Sequence, residues 1–184
     1  PNTSQGEPED VRRQNTSNHQ IDLCPLYGRT PAQTAALRER GLDPARRGRL
    51  KSQMIGDEEF APFLFHADGA PKQEFEALDP PLGLDGVPDV ARRSRLFAFG
   101  GDRTNAVPQV AMMNTLLLRE HNRLASELAG LNGAWDDDRV FETARIILIV
   151  IFIRIVVEEY INHIAPTPFP FTMDAAVAQR APWN

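Results

Sequence analysis

A single cysteine, Cys24, in 184 residues excludes an internal disulfide framework. No Cys/His group has the spacing of a zinc site. A basic stripe is also missing. Acidic side chains outnumber Lys and Arg 25 to 20, for a net charge of −5, which excludes the electrostatic grip on a phosphate backbone that nucleic-acid binding needs. The longest apolar run, Ile146 to Val157, is interrupted by Arg154 and falls well short of the ~20 residues of a spanning helix. No transmembrane span is expected. The first twenty residues lack the apolar segment of a secretory leader and do not start with Met, as in an internal segment. The compartment is left at soluble or membrane-peripheral. There is no Gly-x-Ser-x-Gly, and Gly100-Gly101 lacks the lysine of a P-loop. None of His19, His66, His121 and His163 stands three or four residues from another, so no helix face offers a two-histidine metal site. No metal ligand is expected in this chain.

What is present is an ordinary soluble composition, 42% apolar and 24% charged. Residues 1–18 are a polar lead-in. Ile21, Leu23, Leu26 and Tyr27 form a short apolar stretch ending at Gly28. Thr30, Pro31 and Gln33 then give the cap, first residue and third position of a short helix, with Gly41 as its stop. Residues 49–65 read as a small hairpin turning at Gly56-Asp57. Residues 66–95, with Pro71, Pro80, Pro81 and Pro88, form a long irregular connection that wraps a larger body.

Two long helices follow. Pro108 opens the first, which runs to Gly130 with Val110, Met113, Leu117, Leu124 and Leu128 on one face. After an Asn132-Gly133 turn, Asp136 caps a second helix reaching about His163 and stopped by Pro166, with Asp137 and Asp138 opposing its macrodipole. Its β-branched centre, IILIVIFIRIVV, favours a strand on propensity alone. The cap and the helical EEYINHI decide for a helix, buried on all sides. Proline-rich 167–184 is an extended connector.

Among chemistry-bearing residues, His121 falls on the apolar side of the first helix and reads as a satisfied structural histidine. Glu120 points about 100° away from it and is no dyad partner. Asp136 to Asp138 lack calcium-loop spacing and read as caps. Arg103, in the turn GGDRTNAVP, either aims its fork into a cavity beneath the helix start or is a surface arginine pairing Asp102 or solvent. Arg154 needs a partner or the surface.

The run LLLREHNRLASEL (116–128), with LNGAWDDDRVFETARIILI (131–149) and IRIVVEEYI (153–161), resembles the animal-type haem peroxidase superfamily, in its cyclooxygenase-like branch. NHQIDLCPLYG (18–28) and LKSQMIGDEEFAPF (50–63) are similar to neighbouring segments of the same enzymes. The likeness covers roughly residues 15–165 and matches the middle of the family's catalytic domain. It implies a mainly α fold, the central part of a haem peroxidase-like helical domain (19–166) with a small β-hairpin and long loops.

By the same resemblance, GDRTNAVPQ (101–109) matches a segment in which Arg103 is the distal arginine that polarises the peroxide bond beside haem. Ala106 and Val107 fall where myeloperoxidase-like enzymes attach haem covalently. Neither can form that bond, which implies haem b held non-covalently with these two as apolar wall. Tyr160, Ile161 and Ile164 match residues lining the fatty-acid channel, although an ordinary buried tyrosine would account for Tyr160 equally simply. Asn18 and Cys24 replace the hydroxyl residues of the family's calcium loop, leaving Asp22 alone, so calcium is not expected. The axial histidine and the radical tyrosine fall outside this chain. The implied activity is a haem-dependent dioxygenase and peroxidase. It acts on an unsaturated fatty acid, O2 and peroxide, and is completed by the remaining segments of the catalytic domain. The alternatives are a peroxidase of small phenols or halides, or a non-catalytic fragment.

Overall fold

The computed structural model describes residues 21–41, 43–84, 89–165, 168–174 and 176. The expected lead-in 1–18, His19, Pro166 and most of the terminal connector lie outside them.

The fold is mainly helical. Its order is α1 (Cys24–Tyr27), α2 (Pro31–Leu37), a 3₁₀ turn at Pro44–Arg46, β1 (Gln53–Ile55), β2 (Glu58–Phe60), a second 3₁₀ turn at Gln73–Phe75, α3 (Val90–Arg93), α4 (Pro108–Leu131) and α5 (Asp137–Arg154). Helix α5 passes without a break into a π-helical stretch, Ile155–Ile161, and then α6 (Asn162–Ile164). The strands form the expected hairpin, antiparallel, with Met54 opposite Glu59 and the turn at Gly56-Asp57.

The caps form as their chemistry dictates. The Thr30 hydroxyl accepts from the Gln33 amide at 3.2 Å, and an Asp136 carboxylate oxygen accepts from Arg139 at 2.7 Å. Helix α2 stops at Leu37, before the expected Gly41. Arg38 is already extended (φ −76°, ψ 140°) and bridges Leu50. Its guanidinium is drawn to Asp137 at 2.5 Å and Asp138 at 2.7 Å, at the start of α5, and a helical backbone at 38 is abandoned to reach them. The described parts of the expected 66–95 connection, 66–84 and 89–95, hold the second 3₁₀ turn and the short α3, and at its margins Phe65 bridges Pro71 and Phe63 bridges Phe97.

The core lies where α4 and α5 meet. Val140, Phe141, Ala144 and Leu148, one stripe of α5, are fully buried together with Leu117, Leu118, Leu124, Ala125 and Ala129 of α4. Tyr27, Leu26, Leu50 and Phe75 close it from the N-terminal segments. Two expectations fail here. The centre of α5 is not buried on all sides: Ile146 is 61% exposed, with Val150 and Ile155 also open. One stripe of a helix suffices to pack a single neighbour, and among the described residues nothing covers the others. Likewise Val110 and Met113, at the start of the expected α4 face, are exposed together with Met112 and Leu116. Only the later half of that face meets the core.

The turn before α4 is held by backbone contact. At Gly100 a Cβ would lie 1.9 Å from the Gly28 nitrogen and 2.7 Å from the Cys24 carbonyl oxygen. Because both obstacles are main chain, no rotamer relieves them. Gly100→Ala is expected to cost about 3 kcal/mol, the upper end of overpacking penalties. Urea denaturation checks this, and an unshifted midpoint would mean that the two turns separate freely.

Candidate functional site

The tight turn at 132–136 makes α4 and α5 an antiparallel pair. Arg47 fastens that turn through its guanidinium, which donates to the carbonyls of Gly133 (3.1 Å) and Trp135. The start of α4 and the π-helical end of α5 therefore both lie toward the opposite, open end of the pair. The six candidate residues fall in two groups, Arg103, Ala106 and Val107 in the turn before α4, beside the Pro25–Gly28 segment, and Tyr160, Ile161 and Ile164 at the far end of the second helix; the described contacts do not bring the two groups together.

Arg103, Ala106 and Val107 occupy the turn that feeds α4, and all three are exposed. The turn itself is rigidly placed. Asn105 makes a two-way clasp with the Phe97 backbone, accepting from its N–H and donating to its carbonyl, each at 2.9 Å. The Gly101 amide donates to the Pro25 carbonyl at 2.9 Å, and buried Thr104 sits against the same oxygen. Among the described residues no acid pairs with Arg103, so the expected alternative of an Asp102 surface pair is absent. The Arg103 side chain is open to solvent, as the surface alternative expects. Asn105 and Thr104 were not among the candidates; an Asn inside a short turn was the only available signal.

On the other helix, Tyr160 is 59% exposed, Ile164 is also open and Ile161 is half-buried. Tyr160 and Ile164, one helical turn apart, share a face. The description of Tyr160 as an ordinary buried tyrosine does not hold for this chain. Arg154, as expected, has a partner: Glu158, one turn on, at 3.0 Å.

His121 is wholly buried and satisfied. Its Nε2 lies 2.8 Å from the Gly48 carbonyl, which can only accept, so that nitrogen carries the proton. Nδ1 then accepts from the Tyr27 hydroxyl, also at 2.8 Å. Burial holds the imidazole pKa down to about 4, partly offset by the Gly48 bond and reinforced by the guanidinium charges of Arg38, Arg49 and Arg145. Burial likewise pushes the Tyr27 phenol well above its usual range, with Arg145 opposing the shift. Glu120 pairs Arg123 at 2.6 Å and takes no part. This is a structural cluster.

A cleft of about 380 Å³ beside α2 is lined by Asp22, Arg29, Arg38, Arg40, Glu142 and Arg145, among others. Its arginines face acids: Arg38 pairs Asp137 and Asp138, and Arg29 pairs Asp79. None of the six candidates lines it. Among the described residues no group of His, Cys, Asp and Glu could hold a metal ion, and no helix is long and apolar enough to cross a membrane.

The sequence profile of the family described as Animal haem peroxidase matches residues 1–175. Prostaglandin G/H synthase 2 of Cavia porcellus is 33% identical over 156 residues, 85% of this chain and 23% of that protein. Prostaglandin G/H synthase 1 of Mus musculus is 32% identical over 147 residues, 80% of this chain and 21% of that protein. Among solved structures, peroxidase A from Dictyostelium discoideum superposes with a TM-score of 0.61 at 29% identity, covering 77% of this chain and 24% of that one. The chain thus spans less than a quarter of the length of these relatives.

Proposed function

The chain belongs to the animal haem peroxidase family, and from that premise we propose that it forms part of a cyclooxygenase-like, haem-dependent dioxygenase of unsaturated fatty acids with peroxidase activity. The family is one of oxidoreductases, and membership implies haem. The residues present fit the apolar body of that group. Val107, Val110 and Met113 leave an uncovered apolar strip on α4, next to Arg103. Ala106 and Val107 offer no side chain for a covalent link, which supports haem b held non-covalently. His121 has both nitrogens engaged. The resemblance to the family assigns the axial imidazole to polypeptide outside this chain.

Bound haem supplies peroxide reduction and one-electron oxidation. With haem bound, Arg103 would offer a positive charge to the negative charge that builds on a departing peroxide oxygen. Tyr160 offers a phenol hydroxyl on an otherwise apolar face, able to hydrogen-bond a second phenol and to orient an acyl chain beside it. Ile161 and Ile164 continue that face. The observation that carries the oxygenase reading is the exposed Tyr160 hydroxyl beside uncovered Ile164, in a chain similar to the prostaglandin G/H synthases. The likeness to peroxidase A supports a second reading, a peroxidase of small phenols or halides, in which Arg103 acts and Tyr160 has no part.

A two-stage experiment tests the proposal. The full-length protein carrying this segment, titrated with hemin, is expected to develop a Soret band. It is then expected to consume oxygen with linoleate or arachidonate. A Soret band without oxygen uptake, but with phenol oxidation, selects the second reading. A protein that stays colourless ends both.

A further inference from the structure

The segment after α6 is tied to the π-helical stretch by a set of side-chain hydrogen bonds that the proposed reaction has not used. Asn162 Nδ2 donates to the Phe171 carbonyl at 2.8 Å, and the Phe171 N–H donates back to Asn162 Oδ1 at 2.8 Å. One amide side chain thus mimics a neighbouring strand toward a single residue. The same Nδ2 donates to the Glu158 carbonyl at 2.9 Å, inside the π-helical turn. Glu158 Oε1 in turn accepts from the Met173 N–H at 3.0 Å, while its other oxygen holds Arg154. The Met173 N–H, and after it Arg154, keep the Glu158 carboxyl below the usual carboxylate range.

Two consequences follow from this geometry. The clamp grips residue 171 by its main chain and residue 173 by its N–H, so the side chains of Phe171 and Met173 stay outside it, with Phe169 before them in the chain. All three are exposed, and the rings of Phe169 and Phe171 meet edge to face at 6.1 Å. The clamp also fastens this apolar row to the helix end that carries Tyr160 and Ile164. π-helical turns are rare and recur at functional sites. Here the turn supplies both anchoring residues, Glu158 within it and Asn162 directly after it.

We propose that Asn162, assisted by Glu158, is a positioning residue that pins 168–174 as a strap across the end of the long helix and so sets which part of an acyl chain lies beside Tyr160. Asn162 itself touches no substrate; it acts through the strap. The inference rests on the fatty-acid reading above.

The test compares Asn162→Ala with the wild-type, haem-loaded, full-length protein. Amide exchange at Phe171 and Met173 is measured against Leu148, and positional product ratios with linoleate are measured alongside KM and kcat. In Asn162→Ala, exchange at Phe171 and Met173 is expected to quicken about 10-fold or more while Leu148 is unaffected. KM is expected to rise about five-fold with kcat within about two-fold, and the product ratio to shift. Glu158→Ala, which releases Met173 and Arg154 but keeps the Asn162–Phe171 pair, should give a smaller change in the same direction and serves if Asn162→Ala folds poorly. Unchanged exchange would mean that the clamp does not hold in solution. Released exchange with an unchanged product ratio and KM would overturn the positioning role. A wild-type protein that oxygenates no fatty acid removes the functional reading and this role together, a result distinct from either.

Discussion

Peroxide reduction is expected to slow about 100-fold when Arg103 is replaced by alanine in the haem-loaded, full-length protein, with the Soret band retained. The size follows from the loss of one fixed donor aimed at developing charge, typically a factor of 10²–10³. The backbone that carries that donor is held in place, although the side chain itself is exposed. The Asn105–Phe97 clasp and the Gly101–Pro25 bond hold the turn from both sides, and among the described residues no carboxylate competes for the guanidinium. Arg103→Lys is expected to recover little, because a point charge on a flexible stem does not reproduce the planar fork. Stopped-flow kinetics at fixed haem occupancy would decide the matter. A rate within a few-fold of wild type would remove Arg103 from the reaction, whereas loss of haem would give it a purely binding role.

The second large effect concerns stability. His121→Leu is expected to cost about 4 kcal/mol at neutral pH. Leucine fills most of the volume but leaves the Tyr27 hydroxyl and the Gly48 carbonyl buried without partners, at ~1–3 kcal/mol each. The penalty should itself depend on pH, with a definite sign. The folded-state imidazole pKa is about 4, below the ~6.5 of an exposed histidine. Between those values the unfolded chain binds a proton that the native state refuses. The histidine's stabilisation is therefore complete above about pH 6.5 and is lost as the pH falls toward 4, by roughly 3 kcal/mol over the whole window. Leucine does not titrate, so the gap between wild type and variant should narrow from pH 7.5 to pH 4.5. Urea midpoints at both values measure it, and a gap that stays constant would mean that the buried imidazole takes up its proton as readily as a free one.

The fold was legible wherever a local rule sufficed. Thr30 and Asp136 announced their caps, Gly56-Asp57 the hairpin, and Pro108 and Asn132-Gly133 the limits of α4. His121 was legible as structural because a histidine amid aliphatic neighbours needs two partners, although nothing local named Tyr27 and Gly48, which lie 94 and 73 residues away. Long-range electrostatics escaped detection. The early end of α2 depends on Arg38 reaching two aspartates some hundred positions on. Burial was misjudged at Ile146, Val150, Val110 and Met113 because hydrophobicity reports what a residue would gain from cover, and says nothing of whether cover is supplied. The candidate site was legible by likeness alone. Composition and spacing left Arg103 between two roles, and only the matched GDRTNAVPQ and EEYI segments singled out Arg103 and Tyr160. The strap was invisible, since an Asn after a helix and a Phe nine residues later carry no joint signal.

The bare flank of α5 has a consequence for biosynthesis. Its exposed apolar residues, Ile146 and Val150, are β-branched, side chains that in isolation prefer extended pairing with other chains. On a translating ribosome this helix must wait, sticky side outward, until a covering surface arrives. Production of the segment by itself should therefore demand chaperone holdases, and deposits are expected to begin at residues 146–157 rather than at the hairpin, whose short edges are guarded by Glu58 and Glu59.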